Sequence, residues 1–291
     1  EGETVEVTLN GEVRIRVPIH TLQGIVCFGQ VSVSPPLMGL CAERRVMISF
    51  LSRSGRFLAR VEGPVSGNVL LRREQYRRAD DPELAAAIAR YIVTAKVNNC
   101  RVVLQRALRE HPDIEGAAEL AGSIDHLSEV IKSLENARTL DSIRGLEGEA
   151  AGNYFSVFNH LVFSQKEDFF FWERSRRPPL DNLNALLSFY YTLLAHDVTS
   201  ALETVGLDPA VGFLHRDRPG RPGLALDIME EFRPYLADRL ALSLVNLKQI
   251  NSRGFTRTES GAVLMNDETR KEVITAYQNR KQEEITHPFL N

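Results

Sequence analysis

Long hydrophobic runs are missing from these 291 residues. No apolar stretch approaches the roughly 18–20 residues that a helix needs to span a bilayer. Nor does a basic segment, apolar core and small-residue cleavage site open the chain. A spanning helix and a secretory leader are therefore not expected, and no membrane is expected among the partners. Cysteine is scarce: Cys27, Cys41 and Cys100 are odd in number and lack C-x-x-C spacing. That argues against a disulfide framework and a structural zinc site, and it fits a reducing cytoplasm. An excess of positive charge is missing too. Lysine and arginine number 35 against 38 acidic residues, a formal charge of −3, so the summed field does not attract a polyanion and nucleic-acid binding has to rest on local patches. Internal repeats and low-complexity tracts are absent.

What remains is ordinary globular material, 43% hydrophobic and 25% charged, long enough to bury two cores without an external staple. Two hydrophobic periods divide it. Val5, Val7 and Leu9, then Val13, Ile15 and Val17, alternate around Asn10-Gly11, the pattern of a hairpin whose turn needs positive φ angles. Further strands are expected at Gly24–Phe28, Val46–Leu51 and Phe57–Glu62, with a short helix between Pro36 and Arg45 and a turn at Ser54-Gly55. The pattern changes across residues 64–80. Asp81-Pro82 then opens a helical segment to Glu110, since Asp caps a helix and Pro fits its first turn. More helices are expected at Ala117–Ala137, Thr139–Leu161, Leu183–Val205, Leu224–Leu247 and Asp267–Glu284. The expected fold is α+β in two domains: a small β-sandwich-like domain over residues 1–70 and a larger all-α catalytic domain over residues 71–291. The start at Glu1 rather than Met, and the stop at Asn291, suggest ends that are trimmed or missing.

Three segments concentrate polar residues in apolar surroundings. Glu147 lies on a helix with Gly148 and Gly152, whose presence calls for close approach of a helix or ligand, because glycine costs roughly 1 kcal/mol against alanine there. His215 follows an apolar run and opens the loop Arg216–Gly223. Asp227, Glu230 and Glu231 fall at i, i+3 and i+4, so three like charges share a face unless a cation sits among them. Two carboxylates and an imidazole suit Mg²⁺ or Mn²⁺. Taken singly, each has a plainer reading: a solvated helix glutamate, a hydrogen-bonded histidine, a solvated acidic face.

The order Leu146-Glu147-Gly148, then Gly206–His215, then Leu226–Pro234 resembles the signature of the CRISPR-associated integrase family, the catalytic subunit of spacer acquisition, and the resemblance covers nearly the whole chain. His160–Phe163 and Arg176–Asp181 are most similar to the branch accompanying type I-C systems. The family's expected first strand and final helical tail are lacking. The resemblance implies that Glu147, His215 and Glu230 bind the divalent ion, with Asp227 a further acidic position at the site. It implies an enzyme that joins short DNA to a CRISPR array by 3′-hydroxyl attack on a phosphodiester. Its partners would be double-stranded DNA with 3′ ends, the repeat DNA, a second copy in a homodimer, and a small acquisition subunit completing a hetero-hexamer; a contact between β domains would suit the exposed strand edge at Val5–Val17. Arg174, Arg176, Arg177, Arg216, Arg218 and Arg221 are the expected phosphate clamps. Tyr154, Trp172, Tyr190 and Tyr191 are either base-stacking platforms or core. Two alternatives stay open, a DNA nuclease that does not integrate and a non-catalytic DNA-binding scaffold.

Overall fold

The computed structural model describes residues 3–22, 24–53, 57–61, 63 and 68–284. The expected turn at Ser54-Gly55 lies outside the described residues, as does Glu62 at the end of an expected strand.

Strands β1 (Thr4–Leu9) and β2 (Glu12–Pro18) form the antiparallel hairpin. Its turn residues Asn10 and Gly11 take φ angles of 54° and 82°, the left-handed pair such a two-residue turn requires. Only Val5 of the alternating set is buried; Val7, Leu9, Val13 and Ile15 stay 49%, 58%, 42% and 54% exposed. The hairpin therefore has an apolar face that the single chain does not cover. β3 (Gly24–Phe28) pairs in parallel with β4 (Met47–Leu51), and β5 (Phe57–Val61) pairs antiparallel on the other side of β4. A parallel pair needs a crossover, which α1 (Pro35–Glu43) supplies, capped by Ser34 and opened by proline. A small core of Val5, Ile19, Cys27, Cys41, Val46 and Ile48 holds these parts together.

Next comes a helix that the sequence pattern hid, α2 (Val69–Asp80). It falls inside the expected boundary stretch. Its arginines surround it with charge and it buries only Gln75, so no apolar stripe announces it. Asp81 ends α2 and caps α3 (Pro82–Glu110) through the amides of Glu83 and Leu84. α3 is the spine of the helical part: α4 (Ala117–Asn136), α5 (Leu140–Ser156) and α7 (Gly223–Phe232) all pack on it. α6 (Asn182–Val205) buries Leu183, Leu186, Leu187 and Tyr190 against the same core. After α8 (Arg239–Asn246), a hairpin of β6 (Phe255–Arg257) and β7 (Val263–Met265) leads into α9 (Asp267–Lys281). Strands of three residues are too short for alternation to show in sequence.

Two expected helices are shorter than the pattern suggested. The Thr139–Leu161 segment leaves the α conformation after Ser156 and finishes as a 3₁₀ turn at Phe158–Leu161. The Leu224–Leu247 segment is interrupted by a π-helical turn at Arg233–Asp238. Pro234 has no amide to give the Glu230 carbonyl, so the hydrogen-bond ladder slips; the Arg239 amide bonds the Pro234 carbonyl, five residues back. Among the described residues no helix is long and apolar enough to cross a membrane.

Candidate active site

A cavity of about 2210 Å³ opens between the β layer and the helices. Arg45, Met47, Phe57 and Arg60 line one side; Arg144, Tyr191, Thr192 and Met229 line the other. The two sides are tied by an Arg60–Glu203 ion pair of 2.6 Å and by the Phe57 and His196 rings, 5.1 Å apart. Glu147, His215 and Glu230 all reach this cavity, although 83 positions separate the first from the last. Asp227 and Glu231 are not among its lining residues.

Glu230 on α7 is 2% exposed and fully engaged by cations. Its Oε1 meets Arg233 Nη1 at 2.6 Å and its Oε2 meets Lys96 Nζ at 2.7 Å. The same Lys96 nitrogen touches Glu147 Oε1. Burial works to raise the Glu230 pKa, yet the fields of Lys96 and then Arg233, with a contribution from His215, outweigh it and hold the carboxyl below its ordinary range. Lys96 shows the mirror image: burial favours the neutral amine, and Glu230 and Glu147 overcome it so that the ammonium persists. Lys96 was not foreseen in the sequence. Its signal is a lone lysine beside Ile92, Val93 and Val97, positions of α3 that are all buried. Among the described residues no three Cys, His, Asp or Glu side chains form a ready-made metal cage; an ammonium bridges the two carboxylates. The glycines beside Glu147 do not mark a close approach either, since a Cβ at Gly145, Gly148 or Gly152 would meet nothing within 4 Å.

His215 is held by Asp227, the residue that the resemblance placed at the site as a further acid. Asp227 is fully buried, and its oxygens accept the backbone amides of Phe213, Leu214 and His215 at 2.6, 2.9 and 3.0 Å. Its Oδ1 also lies 2.5 Å from His215 Nδ1. An imidazole donating from Nδ1 to a carboxylate presents the lone pair of Nε2. Asp227 thus acts on the histidine loop and does not face the cavity. The loop is fixed from two more sides. Gln75 of α2 donates to the carbonyls of Asp208 and Val211 and accepts the Asp208 amide, while Arg144 Nε donates to the Leu214 carbonyl at 2.7 Å. At Gly212 a Cβ would stand 2.7 Å from both Asp227 Oδ2 and the Gly223 backbone carbon, so only glycine lets the loop approach α7 this closely.

All six expected arginine clamps line the cavity, in different states. Arg174 is committed to the protein, bonding Asn184 Oδ1, the Ser175 carbonyl and Ser188 and lying 5.1 Å from the Tyr191 ring centre. Arg216 pairs with Asp141 at 3.1 Å. Among the described residues nothing pairs with the side chains of Arg176, Arg177, Arg218 or Arg221. With Arg45, Arg60, Arg72, Arg144 and Arg233, the wall carries eleven arginines against five carboxylates, a local patch that the overall charge of −3 conceals. Of the four aromatics, Tyr154 and Tyr190 are core. Tyr191 reaches the cavity, but its hydroxyl is given to Asp238 at 2.7 Å and a second guanidinium, that of Arg233, lies 4.8 Å from its ring. Trp172 is 85% exposed and lies outside the cavity lining.

Residues 1–279 match the family described as CRISPR associated protein Cas1. The chain belongs to the Cas1 family. The CRISPR-associated endonuclease Cas1 1 of Chlorobaculum tepidum is 54% identical over 290 residues, covering all of this chain and 84% of that protein. A solved Cas1 protein from Thermotoga maritima superposes with a TM-score of 0.83 at 28% identity, over 96% of this chain and 85% of that one. A Cas6-RT-Cas1–Cas2 complex contains a chain with a TM-score of 0.82 and 25% identity, matched over 98% of this Cas1-family chain and 31% of the larger one. The order of a small strand region followed by a helical domain, expected from periodicity, is that of the Cas1 fold.

Proposed function

We propose that this protein is a divalent-metal-dependent DNA integrase and endonuclease that inserts short DNA fragments into a CRISPR array. The observation that carries the reading is the convergence of Glu147, His215 and Glu230 on one arginine-walled cavity within a Cas1-family fold. Two carboxylates and an imidazole nitrogen are the donor set of Mg²⁺ or Mn²⁺. Glu230 Oε2 supports the fit: it is buried, it meets Lys96 as an ion pair only, and no well-aligned hydrogen bond satisfies it. Glu147, His215 and Glu230 would hold the ion, which when bound supplies Lewis-acid polarisation of a phosphate and activation of an attacking hydroxyl.

The chain's own residues do the rest. Asp227 fixes the imidazole orientation, and Gln75 and Arg144 fix the loop that carries it. Arg176, Arg177, Arg218 and Arg221, left unpaired among the described residues, take DNA phosphates. In the joining reaction a fragment's 3′-oxygen forms a new bond to phosphorus as the repeat's P–O3′ bond breaks; the hydroxyl proton leaves and the departing oxygen gains one. One phosphodiester replaces another, so no energy-rich cofactor is needed. The exposed face of Val7, Leu9, Val13 and Ile15 is suited to a second copy across the hairpins, and a small acquisition subunit would complete a hetero-hexamer in the cytoplasm.

The test supplies a fragment with a free 3′-hydroxyl and a supercoiled plasmid bearing a repeat, with Mn²⁺ or Mg²⁺. A covalently joined product is expected, and it should vanish in Glu147→Gln and His215→Ala while DNA binding persists. Cleavage without joining would favour a nuclease that does not integrate. DNA binding with no processing at any ion concentration would favour the scaffold reading.

A further inference from the structure

Lys96 is the one lysine on the interior face of α3, 8% exposed, and its nitrogen is shared by the two carboxylates just assigned to the ion. Both Glu230 oxygens already face a cation, Oε1 that of Arg233 and Oε2 that of Lys96. An incoming divalent ion must therefore share an oxygen with a cation at contact distance, which Coulomb repulsion in a buried setting opposes, or displace one. The two are not equally firm. Arg233 is also stacked on Tyr191 and sits three residues along the same helical run from Glu230. Lys96 reaches Glu230 Oε2 without hydrogen-bond geometry and ends a flexible four-carbon stem.

We propose that Lys96 is an internal counter-cation that occupies the shared position between Glu147 and Glu230 in the ion-free protein and yields it when the divalent ion binds. Resting on the metal reading above, the proposal adds a purpose for the ammonium. Without it, Arg233 alone would face the two carboxylates, held only at Glu230 Oε1, whenever the ion is absent, and Glu230 is too deep for water to make up the difference. With it, the site stays converged and folded while empty, at the cost of weaker ion binding. Lys96 is a positioning residue for the ion site, acting through the two glutamates.

The experiment titrates Mn²⁺ into the full chain by calorimetry and by thermal melting, for the wild type, Glu147→Gln and Lys96→Gln. Glu147→Gln reports on the metal reading alone: if it binds Mn²⁺ as the wild type does, that reading fails whatever Lys96 does. Given loss of binding there, Lys96→Gln is expected to bind Mn²⁺ at least tenfold more tightly than the wild type. It should also melt lower without ion and recover most of the difference at saturating Mn²⁺. Unchanged or weaker Mn²⁺ binding in Lys96→Gln overturns the proposal, since a merely structural lysine would lower melting without raising affinity. A second measurement needs no variant. Reductive dimethylation of the wild type, read at Lys96 by mass spectrometry, should speed up several-fold on adding Mn²⁺, and an unchanged or slower rate refutes displacement.

Discussion

Replacing Asp227 by asparagine tests how the histidine loop is built. In the native protein Oδ2 accepts the amides of Phe213 and Leu214, and Oδ1 accepts the His215 amide and faces His215 Nδ1. Asparagine keeps the size and one oxygen, but its NH₂ group must stand where two donors already point. If it replaces Oδ2, two backbone amides lose their acceptor inside a fully buried site. If it replaces Oδ1, the His215 amide is orphaned and the imidazole can stay bonded only by accepting at Nδ1, which moves the proton to Nε2. Hydrogen bonds to a charged group are worth about 1.5–3 kcal/mol each, so the stability loss should be about 3 kcal/mol, read as a lower urea midpoint at unchanged slope. The second arrangement also removes the Nε2 lone pair, so Mn²⁺ binding and strand joining should fall together, even under conditions where the variant is fully folded. Asp227→Asn with wild-type stability and wild-type Mn²⁺ affinity would refute this account of the loop.

Four more outcomes are expected. Burial pushes Asp238 up to about 6, against the opposing hydrogen bonds of Tyr191 and Tyr154; the native state therefore holds this proton more tightly than the unfolded chain. That contribution, about 3 kcal/mol at most, is complete below about pH 4 and fades as pH rises through 6, so Asp238→Asn should flatten the urea midpoint across that range. Gly212→Ala, which drives a Cβ to 2.7 Å from Asp227 Oδ2, should destabilise by about 1–3 kcal/mol and abolish joining. Gly148→Ala, facing open space on α5, should instead raise stability by up to about 1 kcal/mol, as thermal melting would show. Finally, Arg218→Ser with Arg221→Ser should weaken DNA binding regardless of sequence and reduce the slope of log affinity against log salt by about 2, measured by fluorescence anisotropy.

Local chemistry made parts of this molecule readable in advance. Asn10-Gly11 announced its hairpin because few residues accept two positive φ angles, and Asp81-Pro82 announced α3 because cap and first turn are decided by neighbours in sequence. The parallel pairing of β3 with β4 was not readable, since alternation says which face is buried and nothing about the partner strand. Glu147, His215 and Glu230, which the fold brings to one cavity, were singled out by the resemblance of their surrounding segments; spacing alone left each with a plainer explanation. Lys96, Arg233 and Gln75 escaped notice for one shared reason. Each matters through a partner more than fifty residues away or through a turn whose geometry departs from the α-helix, and neither leaves a periodic trace.

The slipped ladder after Glu230 also sets a length requirement. A turn closed by i→i+5 bonds holds roughly one residue more than an α turn, and Pro234 keeps this one open whichever of the following residues is removed. Excising one residue between Pro234 and Asp238 would therefore swing everything downstream by roughly 100° about the axis. Asp238 would then leave Tyr191, the tyrosine would lose its anchor, and the guanidiniums of Arg174 and Arg233 would lose the ring they rest on. The exposed stretch from Arg216 to Gly220 has slack enough to absorb a change of one residue; this six-residue segment has none, and its tolerance to insertion or deletion should be the lowest of any turn around the cavity.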